Sequence, residues 1–360
     1  MVIIAARRRP AAGALPHSCT IVRMLRTGMV CVFSCLLLAT VSALSGPVGA
    51  ATGWLLVANK GSHTLGIIDP ATNRQIAEVA EGGITGHEVA ASPDGKMAYV
   101  PIYGNSGVGK PGTDGANLVA IDLAARKVTG NLAFAHGVRP HCAVFGPKDG
   151  LLYVTTELDK TVTVIDPRTL HIVGTVPTGQ AESHMLAIAH DGRRGYTANV
   201  GPGTVSVLDL EKRRMIAVIP ISGETQRISI SADDRWVFTA DQTQPRLAAI
   251  DARTNRVAKW IKLPAPGYGT AATADGRWLL VAVPEARKVA IVDLQSMLVA
   301  HTIDVPAAPQ EVLIRPDGRM AYVSCDSSAK IAAIEVGQWK VTALIDAGKS
   351  ADGLAWAAAR

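Results

Sequence analysis

Pro316-Asp317-Gly318-Arg319-Met320-Ala321-Tyr322-Val323 is a short apolar run launched from an Asp-Gly turn, and it recurs in degraded form along the chain. Pro93-Asp94-Gly95 leads to Tyr99-Val100, and Asp191-Gly192 leads to Tyr196. A second marker is the acidic residue that closes an apolar stretch: Asp69, Asp122, Asp166, Asp209, Asp251, Asp293 and Glu335, separated by 53, 44, 43, 42, 42 and 42 residues. One period near 42, seven times with one insertion, is a repeat architecture. Helical arrays share that period, so the pattern inside each unit decides the class. Thr161-Val162-Thr163-Val164-Ile165-Asp166 and Thr204-Val205-Ser206-Val207-Leu208-Asp209 are short, β-branched and bounded by turn residues, which is the signature of strands. One unit resolves into four runs: His184 to Ala189, Arg193 to Asn199, Thr204 to Asp209 and Met215 to Pro220. A four-stranded antiparallel unit can bury both faces only against its neighbours, so the expected fold is all-β: a seven-bladed β-propeller.

The ends support closure. The repeat region starts on a second-strand motif, Trp54-Leu55-Leu56-Val57, and finishes on a first-strand motif, Gly353-Leu354-Ala355-Trp356. The C-terminal strand is expected to complete the first blade and remove the open edges.

The tetrads Tyr153-Val154-Thr155-Thr156, Tyr196-Thr197-Ala198-Asn199 and Tyr322-Val323-Ser324-Cys325 resemble the YVTN repeat, over about residues 54 to 358. That resemblance implies a lactonase-like propeller. It does not choose a function, because such propellers include lactonases, cofactor-bearing oxidoreductase domains and surface antigens.

Residues 1–50 read differently from the rest. They hold Arg7, Arg8, Arg9, Arg23 and Arg26, no acidic residue, an apolar run from Val30 to Leu44, and the small-residue ending Val48-Gly49-Ala50. That order is expected of a signal peptide cleaved after Ala50, leaving residues 51–360 as a single propeller domain, periplasmic or secreted, with no transmembrane anchor. Of 36 Lys+Arg, the five in the leader leave 31 against 30 Asp+Glu, a net of about +1. Nucleic acid is thereby disfavoured as a partner, since phosphate contact needs clustered cations. A monomer is expected. Cys142 and Cys325 remain on separate blades, too far apart around a ring for a disulfide.

Register also nominates a site. The residues expected to open the innermost strands are His87, His141, His184, Gln226, Tyr268, Gln310 and Asp352. Three imidazoles on consecutive blades, beside the aspartate of the closing blade, should face the mouth of the central channel. Glu88, Glu182 and Arg227 stand next to them in sequence. Imidazole ligates zinc, copper, iron and nickel, so His87, His141 and His184 are candidate ligands of a divalent metal. The function expected is an exported binding or scaffold protein taking a small molecule or protein on its top face. The alternative is a metal-assisted hydrolase, lyase or oxidoreductase with Glu88 or Glu182 as base. No HExxH, CxxC or Gly-x-Ser-x-Gly motif occurs after the leader. The insertion from Ile102 to Asn117 nearly spells a phosphate loop, but Pro111 stands where that motif needs Ser or Thr, and a strand follows in place of a helix. It is expected to be a long top-face loop beside His87.

Overall fold

A computed structural model describes residues 52–359, and the signal-peptide reading of residues 1–50 lies outside them. Seven four-stranded antiparallel sheets follow one another, each beginning at the central channel and running outward. In blade 4 the strands are Ser183–Ile188, Arg194–Asn199, Thr204–Asp209 and Arg214–Pro220, in that order across the sheet. Blade 1 takes its innermost strand, Ala351–Ala358, from the C-terminus and pairs it with Gly53–Asn59, with Leu55 opposite Trp356 and Val57 opposite Leu354. The ring is closed as the termini of the repeat predict.

The gradient of burial across each blade follows from this stacking. Second strands are covered on both faces, so Leu55 to Ala58 and Leu279 to Val283 are continuous apolar runs with no exposed side chain. Outermost strands face water: in Arg214–Pro220 only Ile219 is buried. The core lies between blades. Leu186, Tyr196 and Val207 of blade 4 share one cluster with Val237 and Ile250 of blade 5.

The acidic marker has a local cause. Asp251 Oδ1 accepts the backbone N–H groups of Arg253 and Thr254, and Asn255, four residues on, adopts a left-handed φ of 54°, with its counterparts between 50° and 56°. Asp293 does the same for Gln295 and Ser296. In six blades an aspartate there accepts from the turn between third and fourth strands, which is why an acidic residue recurs at this point.

The insertion in blade 2 is partly strand: the neighbouring strands lengthen to Met97–Gly104 and Asp114–Asp122, and residues 105–113 between them form the looped tip. Arg139 pins that tip, its Nε on Asp114 at 2.6 Å and its Nη2 on the carbonyl of Lys110 at 2.8 Å.

Candidate functional site at the channel mouth

The channel-facing residues reach the mouth through β-bulges. In blade 4 the ladder pairs Ser183 with Asn199 and then Met185 with Ala198, leaving His184 out of register. The same slip frees His141 and Cys142 in blade 3, Gln310 and Glu311 in blade 7, and Asp352 and Gly353 in blade 1. A bulge re-aims side chains at the cost of ladder bonds, and hydroxyls of the second strand replace those bonds. Thr155 Oγ1 donates to the His184 carbonyl at 2.7 Å and accepts the Cys142 N–H at 2.9 Å, while Ser324 Oγ accepts the Glu311 N–H at 3.0 Å. In blades 2, 5 and 6 the innermost strands shorten to Ala90–Ala91, Ile228–Ile230 and Thr270–Ala272. There His87, Gln226 and Tyr268 precede the strand they were expected to open.

The column residues build a cup. Its wall is aromatic: His141 and His184 stack at 3.4 Å, His87 meets His141 edge-on at 5.3 Å, and the fully buried Tyr103 closes the corner at 4.7 Å from His87. Behind the wall lies Glu157, which accepts the Tyr103 hydroxyl at 2.8 Å and holds His184 Nδ1, while Gln226 takes His184 Nε2 at 2.8 Å. His141, 1% exposed, has an Nδ1 with no partner among the described residues. Burial lowers its proton affinity, and it pushes His87 down to about 3, so both imidazoles are neutral acceptors at physiological pH.

Beneath the wall is a charged floor. Arg227 of blade 5, 2% exposed, reaches across the channel to Glu88 of blade 2 at 2.5 Å, Glu311 of blade 7 at 2.6 Å and Asp352 of blade 1 at 2.6 Å. Its Cζ lies 5.1 Å from the centre of the Tyr268 ring, and its Nε has no partner among the described residues. Lys60 bridges Asp352 at 3.2 Å and Asp326 at 3.1 Å. Burial raises Glu88 well above the carboxylate range and pushes Glu311 up to about 7, whereas the neighbouring Arg227 and Lys60 charges hold Asp352 below its usual value.

Of the ten nominated residues, His87, Glu88, His141, His184, Gln226, Arg227, Tyr268 and Asp352 meet in this cup. Gln310 shares the register but touches it by backbone alone, its carbonyl accepting the Gly269 N–H at 3.1 Å. Glu182 turns away: it sits in a left-handed turn, φ 53°, and its carboxylate accepts the Gly201 N–H at 2.7 Å beside the insertion tip. Among the described residues no three His, Cys, Asp or Glu side chains are arranged to hold an ion. Both nitrogens of His184 are engaged, by Glu157 and Gln226, and its ring stacks on His141 at an interplanar angle of 30°. Cys142 and Cys325 are free and buried, with burial pushing both thiols up.

The residues not foreseen are Lys60, Tyr103, Glu157, Asp326 and Glu311. The first four occupy one register column, immediately after the second-strand tetrad, so the same alignment of repeats that found the histidines would have found them.

A family model described as the cytochrome D1 heme domain matches residues 147–357, more than half of the chain. The chain belongs to that family. The matched span includes His184, Arg227 and Glu157 but begins after His87, Tyr103 and His141. No curated protein matches the sequence. Among solved structures, the family's propeller is similar to a Kuenenia stuttgartiensis hydrazine synthase chain (TM-score 0.66, 17% identity, 79% of this chain and 93% of that one). It is also similar to the dihydro-heme d1 dehydrogenase NirN in complex with DHE (0.61, 16%, 86% and 77%). A third is a functionally unknown protein from Desulfotomaculum acetoxidans DSM 771 (0.69, 11%, 86% and 100%). At these identities the likeness is one of fold.

The family's heme can be tested against the donor set. Neutral His87 and His141 suit an iron–imidazole bond. The edge of a heme carries carboxylates, however, and the cup's cations are already committed: Arg227 to three carboxylates, Lys60 to two, Arg139 to Asp114. The residues present do not fit an acidic tetrapyrrole.

Proposed function

We propose that the protein is an exported small-molecule-binding propeller of the cytochrome D1 heme domain family, whose ligand sits in the cup at the top of the central channel. The observation that carries this reading is the unpartnered Nδ1 of His141, a buried polar atom in the wall of a cup whose floor is closed by Arg227. A buried acceptor without a partner costs about 1–3 kcal/mol, which a ligand or trapped water would offset. Export is supported by the basic, apolar and small-residue order of the leader, and the YVTN-like tetrads belong to the same architecture. A fragment screen by thermal shift and ligand-observed NMR tests the seat. Compounds that raise the melting temperature should lose their effect in His141→Ala; hits indifferent to that substitution would place the ligand elsewhere.

An enzymatic reading is favoured by one arrangement. Glu157 holds Nδ1 of His184, which is how a buried carboxylate orients an imidazole for proton transfer. Gln226 on the opposite nitrogen would have to yield to substrate.

A further inference from the structure

The open bonding capacity of the cup has a sign. Four carboxylates, Glu88, Glu311, Asp352 and Asp326, meet two cations, Arg227 and Lys60. After those ion pairs are formed, Glu88 Oε2 and Glu311 Oε1 accept no hydrogen bond among the described residues, and the neutral His87 ring has one unbonded acceptor nitrogen beside one unbonded N–H. His141 Nδ1, 1% exposed, is a further unbonded atom, independent of the acidic cluster, on a ring close enough to Arg227 and Lys60 for both charges to act on it. Against these acceptors stands one buried unbonded donor, Arg227 Nε.

We propose that the cup selects a small organic cation, a primary ammonium donating to the free oxygens of Glu88 and Glu311 and to a neutral imidazole of the wall. The inference rests on the ligand seat proposed above and names its chemistry. An ammonium brings three donors and a positive charge to a place that offers acceptors, and whose buried Glu88 and Glu311 hold protons that the cation would replace, so binding should release protons. Aromatic walls favour an organic cation, because ring faces attract a cation that is only partly hydrated. The neighbouring positions leave room for the floor: Gly353 lies where a Cβ would approach Glu88 Oε2 to 2.4 Å, and Gly269 where one would meet the Gln310 carbonyl at 2.1 Å. Small residues there let the carboxylates and Arg227 converge across the channel. The same charge balance accounts for the poor match to an acidic heme edge.

The test is a series of four-carbon compounds of equal length and different charge: 1,4-diaminobutane, 1,4-butanediol and succinate, titrated calorimetrically into the mature protein, with calcium and zinc ions run alongside. The diamine should bind about tenfold or more tightly than the diol, and succinate more weakly still. In the double variant Glu88→Gln, Glu311→Gln the diamine should lose about tenfold while the diol is unchanged. If that variant fails to fold, Glu311→Gln alone, at the more open of the two positions, should show the same direction. Tighter binding of succinate, of a heme acid or of either metal ion overturns the proposal and leaves the seat intact. So does a diamine preference that survives both variants. Absence of binding by every compound at about 10 mM also overturns it, with the seat judged separately by the His141 screen.

Discussion

Glu81 shows what one buried carboxylate does to a propeller's pH response. It is fully buried; Oε2 accepts the Gly86 N–H at 2.8 Å and Oε1 accepts nothing among the described residues. Desolvation pushes it up from 4.5 to about 7, the single backbone bond only partly opposing. The folded state therefore binds this proton more tightly than the unfolded chain does. Stability from this group is fully present below about 4.5, falls as pH rises towards 7, and is flat above it. The gap corresponds to about 3 kcal/mol as an upper bound. Glu81→Gln can keep the Gly86 bond without the charge, so it should raise the melting temperature at pH 8 and flatten the fall between pH 5 and 7. Thermal melts of both proteins across that range check it; parallel curves would assign the pH dependence to other groups. The position matters because Glu81 precedes the turn that carries His87 and Glu88 into the cup.

The element that makes the cup is the bulge with its hydroxyl, and it was only half legible. The column His87, His141, His184, Gln226, Tyr268, Gln310 and Asp352 could be read because it is periodic, and periodicity survives divergence of the repeats. That the side chains leave the ladder could not be read, since a bulge depends on whether a second-strand residue such as Thr155 can replace the missing bonds. The direction of Glu182 was equally hidden, because its left-handed turn is occupied by a residue type that does not advertise one. The partner of His184 was hidden for a reason of the same kind: Glu157, from a different column, holds its Nδ1. Thr155 offers the sharpest test of the element. Thr155→Val is nearly isosteric but leaves the Cys142 N–H and the His184 carbonyl without their buried partner. Two unsatisfied groups at about 1–3 kcal/mol each predict a loss of about 2–6 kcal/mol in denaturant unfolding, and a weaker response to any cup ligand. A loss below about 0.5 kcal/mol would mean that water or relaxation of the bulge replaces the hydroxyl.

At the scale of the whole propeller, the ring is held together where its first and last described residues meet. Ala351–Ala358 supplies the innermost strand of blade 1, and the pairing continues to the last described residues, with the Ala359 N–H on the Thr52 carbonyl at 3.0 Å and Thr52 Oγ1 on the Ala359 carbonyl at 3.2 Å. The same strand carries Asp352, so closure and the floor of the cup depend on one segment. Deleting Ser350 to Arg360 removes a strand whose Leu354, Ala355 and Ala357 are buried and exposes the edge of Gly53–Asn59. An open propeller loses contacts between its first and last blades as well as within blade 1, so the loss should exceed that of a frayed tail. The truncated protein should therefore lose its cooperative thermal transition or aggregate. A circular permutant separates the two causes, continuity of the chain and presence of the strand. Because Thr52 and Ala359 are hydrogen-bonded neighbours, a short Gly-Ser linker can join them, with new termini opened at the exposed tip between Gly109 and Gly112. That permutant keeps every strand pair and should melt within a few degrees of the parent, while the truncation should not fold; a permutant as unstable as the truncation would show that closure depends on where the chain begins, and a truncation as stable as the parent would show that the seventh interface contributes little.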